Sequence, residues 1–186
     1  MTTLVAIKRN DEVWIGADKQ TQYGSTKRMY NKQSKIVRAC GFAFAFSGSC
    51  VYQNLFEIFV DQFSEIGHTR KELFSFFNNF NGYASEKLKI GTSDNNDPQA
   101  LSMHVIAATP TNVYAVLPAG SIFDVDTFVA AGGGEEYATG ALECLYPSDL
   151  SNRDVIKRAI DIASKHSTGT GGGTDIIQVT PKKVKA

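Results

Sequence analysis

The order of periodic segments constrains the fold of this chain more than any other feature. Apolar residues alternate with a period of two in the first segments and then recur at helical spacing through two consecutive segments. The same succession of strands and two helices then follows again, before a final strand. Strand hairpins grouped on either side of helical pairs indicate α+β layering rather than strict βαβ alternation. We therefore predict one domain over residues 1–186, a four-layer αββα sandwich of two antiparallel sheets flanked by helices.

The strands are predicted mainly as hairpins. TTLVAIKR and EVWIGAD flank the turn-favouring pair Asn10-Asp11, and SKIVRA and FAFAFS flank Gly41. The alternation in FAFAF places its phenylalanines on one face and its alanines on the other, so the aromatic face belongs in a core. LSMHVIAAT and NVYAVL, joined by a Pro-Thr pair, predict a further hairpin. SIFDVDTFVAA leads into the glycines at 132–134, and TDIIQVT predicts a closing strand.

Helical spacing begins at Cys50. The segment CVYQNLFEIFVDQFSEI predicts a helix that ends near Gly67, with an apolar stripe of Val51, Leu55, Ile58, Phe59 and Phe63. A second helix begins at Thr69, which forms a capping-box pattern with Glu72, and its stripe comprises Leu73, Phe76, Phe77, Phe80 and Tyr83. Two further helices are predicted over EEYATGALECL and NRDVIKRAIDIASKH, the latter with Ser151 as N-cap. The segment 91–99 is a loop by composition.

Composition and charge exclude several functional classes. Nineteen basic residues balance 19 acidic ones, so no broad electrostatic argument favours nucleic acid or an acidic membrane as partner. Charges follow the first apolar run too early for a signal peptide, and no apolar stretch is long enough to span a membrane. The three cysteines have no metal-binding spacing and suit a reduced, cytoplasmic protein. We expect no cofactor.

The start of the chain, MTTLVAI, carries a possible nucleophile. Threonine is a good strand former, so Thr2 and Thr3 could simply open a β-strand. A threonine at a free N-terminus, however, carries a hydroxyl and an amine on one residue, which gives a nucleophile with its own base. The two possibilities remain open on these residues alone.

Further motifs extend this start into a family pattern. MTTLVAIKRNDEVWIGADKQTQYGSTKR, the later SKI and FSGS together resemble the proteasome β-subunit superfamily, in particular its small bacterial members, the HslV peptidase and the betaproteobacterial proteasome homologues. The resemblance implies an N-terminal nucleophile hydrolase, a threonine endopeptidase that cleaves protein or peptide substrates inside a stacked double ring. It also implies a possible ATP-dependent unfoldase partner. Loss of Met1 would make Thr2 the nucleophile and base, Lys35 and Asp18 would shape its electrostatics, and Gly48 would donate to the oxyanion.

Each of these matches competes with an alternative. Asp18 could cap the turn after EVWIGA, and Lys27 and Lys32 compete with Lys35. Gly48 could be an ordinary glycine in a strand-to-helix turn.

The chain also departs from the family pattern near its end and before its third helix. Gly133 stands where the family has a serine, and Ser167 stands where most members have an aspartate. Thr170 occupies the position of a second family serine and keeps a hydroxyl, so the resemblance assigns it a catalytic role.

Motifs for other functions are weaker in this sequence. GTGGGT and AAGGGEE fit neither dinucleotide nor P-loop motifs, and GTGGGT follows a predicted helix instead of preceding one. His68, His104 and His166 lack metal-ligand spacing. A non-catalytic ring scaffold of the same fold and an N-terminal nucleophile amidase acting on small molecules remain as alternatives.

Overall fold

The computed structural model describes residues 2–23, 26–29, 33–88, 103–118 and 120–181. The helices of this part of the chain are α1 (Cys50–Val60), α2 (Arg70–Leu88), α3 (Glu135–Leu145) and α4 (Asn152–His166). Its strands are β1 (Thr3–Arg9), β2 (Glu12–Asp18), β3 (Gln20–Tyr23), β4 (Thr26–Met29), β5 (Ile36–Ala39), β6 (Phe42–Gly48), β7 (Met103–Ala108), β8 (Val113–Val116), β9 (Ile122–Val125), β10 (Phe128–Gly132) and β11 (Thr174–Gln178).

Two antiparallel sheets form the centre of the molecule. One has the strand order β10-β1-β2-β11 and the other has the order β5-β6-β7-β8-β9. Helices α1 and α2 cover the five-stranded sheet, and α3 and α4 cover the four-stranded sheet. The predicted αββα sandwich is therefore confirmed. The short hairpin of β3 and β4 was not predicted.

Strand β6 shows how alternation builds this layering. Phe42, Phe44 and Phe46 pack among the aromatic side chains of α1 and α2. The alanines between them, Ala43 and Ala45, lie in the apolar layer between the two sheets. Both faces of the strand are therefore buried, and alanine on the inner face lets the sheets approach closely.

Positive φ angles close the two predicted N-terminal hairpins. Asn10 and Asp11 connect β1 to β2 with φ angles of 56° and 58°, and Cys40 and Gly41 connect β5 to β6 with φ angles of 51° and 82°. Left-handed conformations at both central residues match the twist of antiparallel strands, and Asn, Asp and Gly tolerate them well. Both hairpins, and the one formed by β7 and β8, are confirmed.

The prediction for α1 was wrong in its end and in part of its stripe. The helix ends at Val60 rather than near Gly67, because the next amides bond three residues back in tight turns, from Gln62 to Phe59 and from Phe63 to Val60. Val51 and Ile58 are exposed, by 39% and 58%. The face that meets the sheet is instead formed by Gln53, Phe56, Phe59 and Val60.

The predictions for the remaining helices are confirmed. At the start of α2 the Thr69 amide donates to Glu72 (3.0 Å) and the Glu72 amide donates to the Thr69 hydroxyl (3.3 Å). Ser151 caps α4 by accepting from the Asp154 amide (3.1 Å). In the described part of the chain we find no helix with the length and apolar character needed to cross a membrane.

The segment SIFDVDTFVAA forms two strands in two sheets. β9 is an edge of the five-stranded sheet, whereas β10 pairs with β1 in the four-stranded sheet. The chain therefore crosses between the sheets around residues 126–127 and brings the glycines at 132–134 beside the start of β1. The predicted loop at 91–99 lies outside the described residues.

Candidate active site

The residues of the candidate site meet at one end of the two sheets. Thr2 precedes β1 and Asp18 ends β2, and the antiparallel register that pairs Leu4 with Ala17 brings these two strand ends together. Lys35 precedes β5 and Gly48 ends β6 in the facing sheet, with Ile36 paired to Ala45. The fold thus brings the ends of these two hairpins together.

A small cavity joins three of the predicted residues. It has a volume of about 20 Å³ and is lined by Thr2, Lys35, Phe46, Ser47, Gly48, Ser49, Cys50, Tyr52, Gln53 and Met103. Thr2 itself is only 5% exposed. Thr2, Lys35 and the turn at Gly48 therefore line the same cavity.

The carboxylate of Asp18 organises the floor of the site. It is 1% exposed and accepts four hydrogen bonds. Oδ1 accepts from the Thr3 amide (2.8 Å) and from Lys35 Nζ (2.9 Å), and Oδ2 accepts from the amides of Gln20 and Gly171 (3.0 Å each). The bond from Gln20 is the turn contact that we considered as an alternative for Asp18, so the same carboxylate both shapes that turn and binds Lys35.

Lys35 is the lysine that reaches Asp18. Its Nζ donates to Asp18 and to the carbonyl of Gln20 (2.6 Å). Lys27 is exposed on β4, and Lys32 lies outside the described residues. Burial lowers the pKa of the Lys35 ammonium below its ordinary value, and the negative charge of Asp18 offsets only part of this effect.

Gly48 adopts a backbone conformation that favours glycine. Its φ angle is 125°, which L residues rarely adopt, and it is exposed at the point where β6 turns into α1. A turn of this kind can present a backbone amide to a ligand instead of to a neighbouring strand.

Thr170 contacts Thr3, the residue after the candidate nucleophile. The two hydroxyl oxygens lie 2.7 Å apart, and both side chains are buried. The two positions that depart from the family pattern also meet, because the Ser167 hydroxyl donates to the carbonyl of Gly133 (3.1 Å). The GTGGGT segment thus supports this site, with Thr170 bound to Thr3 and Gly171 bound to Asp18.

The sequence analysis missed three residues that shape the site. Gln20 receives Lys35 on its carbonyl and donates its side chain to the carbonyl of Thr168 (2.8 Å). Gly132 has a φ angle of 95°, and a Cβ there would overlap the Thr2 carbonyl oxygen and lie 2.6 Å from Ser47 Oγ. Thr3 is the third. Asp18 and Gln20 are two positions apart, so their side chains point to the same side of an extended chain. This spacing was the sequence signal that could have identified Gln20.

The histidines lie in different surroundings. His68 packs edge-on to Phe42 (5.1 Å), and His166 stacks on Tyr137 (5.4 Å) in the opposite helical layer. His104 lies on β7 opposite Ser47, and its Nδ1 is buried without a hydrogen-bond partner among the described residues. Within those same ranges, no group of three or more His, Cys, Asp or Glu side chains is arranged to hold a metal ion.

Comparison with protein families and curated relatives adds to this geometry. The family model described as "Proteasome subunit" matches residues 1–179. The proteasome subunit beta of Halorhabdus utahensis is 33% identical over 78 residues, which cover 40% of this chain and 33% of that protein. The ATP-dependent protease subunit HslV of Caldanaerobacter subterraneus is 24% identical over 172 residues, which cover 88% of this chain and 90% of that protein. The chain thus spans about a third of the archaeal subunits that it matches.

Comparison with solved structures supports the same fold. Thiobacillus denitrificans BPH superimposes with a TM-score of 0.85 at 21% identity, over 97% of this chain and 100% of that one. BPH has also been solved in complex with epoxomicin. HslV from Trypanosoma brucei has a TM-score of 0.68 at 19% identity, over 95% of this chain and 98% of that one.

Proposed function

Because the chain belongs to the proteasome subunit family, we propose that it is a threonine endopeptidase with Thr2 as its nucleophile. The observation that carries this proposal is the single cavity lined by Thr2, Lys35 and Gly48. They supply three groups that promote acyl transfer: a hydroxyl nucleophile, a nearby cation and a turn able to offer an amide.

The reaction begins with removal of Met1, which frees the α-amine of Thr2. An unperturbed α-amine has a pKa of about 7.7–8.0 and accepts the hydroxyl proton near neutral pH. The Thr2 oxygen attacks the carbonyl carbon of the substrate, and the Gly48 amide stabilises the oxyanion. The amine returns the proton to the leaving nitrogen as the peptide bond breaks. Water then hydrolyses the ester on Thr2, and the hydroxyl is regenerated.

Lys35 and Asp18 support this step electrostatically. Lys35 lines the same cavity as Thr2, so its positive charge favours the alkoxide character that develops on the hydroxyl oxygen. Asp18 Oδ1 accepts a hydrogen bond of 2.9 Å from Lys35 Nζ, and the carboxylate is itself held by three backbone amides. Thr170 acts through its contact with Thr3 in this proposal.

Assembly into stacked rings and action on protein chains are part of the same proposal. They are supported by the family and by the exposed apolar side chains of α1 and α2, including Ile58 and Phe74, which offer contact surfaces for further subunits. A cytoplasmic location and an ATP-dependent unfoldase as partner are proposed on the family resemblance alone.

Hydrolysis assays with matched variants test the proposal. The wild-type chain should cleave unfolded casein and short fluorogenic peptides, and Thr2→Ala should abolish both activities. Thr109→Val serves as control, because it removes a buried threonine hydroxyl from the turn between β7 and β8. An assembled ring without activity would favour the scaffold, and a monomer that hydrolyses only small amides would favour the amidase.

A further inference from the structure

Thr3 is held by its backbone and by its side chain at the same time. Its amide donates to Asp18 Oδ1 (2.8 Å), and its hydroxyl oxygen lies 2.7 Å from that of Thr170. Neither residue is more than 1% exposed. Water therefore cannot replace either hydroxyl partner, and loss of one leaves the other without a hydrogen bond in a buried place.

The surroundings of this pair leave little room for rearrangement. Gly134, the N-cap of α3, packs against the pair. A Cβ on Gly134 would overlap the Thr3 hydroxyl and lie 3.0 Å from the Thr170 hydroxyl. The same Cβ would lie 3.0 Å from the Ala163 Cβ of α4. The two hydroxyls are therefore enclosed by the first turn of one helix and the last turns of another.

The hydroxyl pair closes a ring of contacts with the Asp18 carboxylate. Thr170 is followed by Gly171, whose amide donates to Asp18 Oδ2 (3.0 Å), while Thr3 donates to Oδ1. Thr3 and the 170–171 segment are thus fixed to each other and to the carboxylate that binds Lys35. Because Thr2 is covalently attached to Thr3, this ring also determines where the Thr2 hydroxyl lies relative to Lys35.

We propose that Thr3 is a positioning residue, which holds Thr2 in its reactive place through the hydroxyl of Thr170. This inference rests on the proposed role of Thr2 as nucleophile. Displacement of a reacting atom by 1 Å costs on the order of 100-fold in rate. A partial relaxation of the pair therefore lowers kcat, whereas substrate binding along the cavity wall is retained.

The test uses four variants of the full-length protein. Thr3→Val and Thr170→Val each keep the branched shape and remove one hydroxyl, the double variant removes both, and Thr3→Ser keeps the hydroxyl without the methyl group. Thr109→Val is the matched control, since Thr109 is 0% exposed and its hydroxyl accepts from the Asn112 amide (2.9 Å) away from the site. For each variant, kcat, KM and the rate of covalent reaction with epoxomicin are measured, together with the melting temperature.

We expect kcat and the epoxomicin rate of Thr3→Val to fall about tenfold with little change in KM. Thr3→Ser should recover most of the loss, and the double variant should lose no more than the larger single loss, because both single changes remove the same interaction. Thr109→Val should lose stability without this loss of kcat. The inference is overturned if Thr3→Val keeps the kcat of the wild type. It is also overturned if the loss of kcat in Thr3→Val is no larger than its fraction of unfolded protein explains, as expected for Thr109→Val. An inactive wild-type protein would instead overturn the proposed function itself, and the inference with it.

Discussion

Replacing Asp18 by asparagine should destabilise the protein strongly, although the two side chains have nearly the same shape. The carboxylate accepts four hydrogen bonds, two on each oxygen. An asparagine keeps one oxygen and turns its NH2 group toward the other two donors, so two buried donors lose their acceptor in either orientation. Lys35, with a side chain 12% exposed, also loses its counter-charge. Removing one partner of a buried ion pair costs about 3–5 kcal/mol of unfolding free energy.

For a chain of this length, each kcal/mol lowers the melting temperature by about 2–4 °C. We therefore expect Asp18→Asn to melt about 6–20 °C below the wild type, as measured by circular dichroism and by urea titration. Asp175→Asn is the matched control, because the Asp175 ion pair with Lys19 is 27% exposed on both sides and should contribute about 1 kcal/mol or less. A melting temperature of Asp18→Asn no lower than that of Asp175→Asn would refute the reasoning.

Three further predictions follow from other contacts. Burial lowers the pKa of Lys35, so the unfolded chain binds more protons than the folded chain at pH values between the two pKa values. The unfolding free energy of the wild type, relative to that of Lys35→Met, should therefore rise with pH across that window. A flat or falling difference in urea titrations would contradict this. The Arg9 guanidinium donates to the carbonyls of Tyr146 (2.7 Å), Ser148 (3.0 Å) and Leu150. Arg9→Lys should therefore lower the unfolding free energy by about 2 kcal/mol and speed amide exchange in residues 146–150. Unchanged exchange there would disprove that Arg9 holds this segment in place. Gly132→Ala should lower kcat by more than its loss of melting temperature explains, because the added Cβ would displace the Thr2 carbonyl and Ser47. Wild-type kinetics in this variant would rule this out.

The sequence predicted the layers well because the two periodicities are local properties. The hairpin at Asn10-Asp11 and the capping box at Thr69 each depend on a few neighbouring residues, and both are confirmed. The end of α1 was mispredicted because apolar residues continue at helical spacing after Val60, while tight turns replace the helix. Which helical face meets the sheet depends on packing, and exposed Ile58 satisfies the same spacing as buried Phe59.

The candidate site was predictable only where a motif marked it. Asp18 and Lys35 were named from the motifs, and their contact of 2.9 Å agrees with that pairing. The contacts of Thr3 with Thr170, which is 167 residues away, and of Gly132 with Thr2 arise from the packing of separate elements. No local pattern encodes contacts between such distant positions, so these contacts, and the roles of Thr3 and Gly132 in the site, emerged only from the fold.

Intact-mass spectrometry tests the central claim about Thr2 most directly. Purified wild-type protein is incubated with epoxomicin, the compound bound in a structure of Thiobacillus denitrificans BPH, and compared with Thr2→Ala treated in the same way. We expect a chain without Met1 that gains the mass of one epoxomicin molecule, and no gain for Thr2→Ala. A chain that retains Met1 and gains no mass, or an equal gain in both proteins, would contradict Thr2 as the nucleophile.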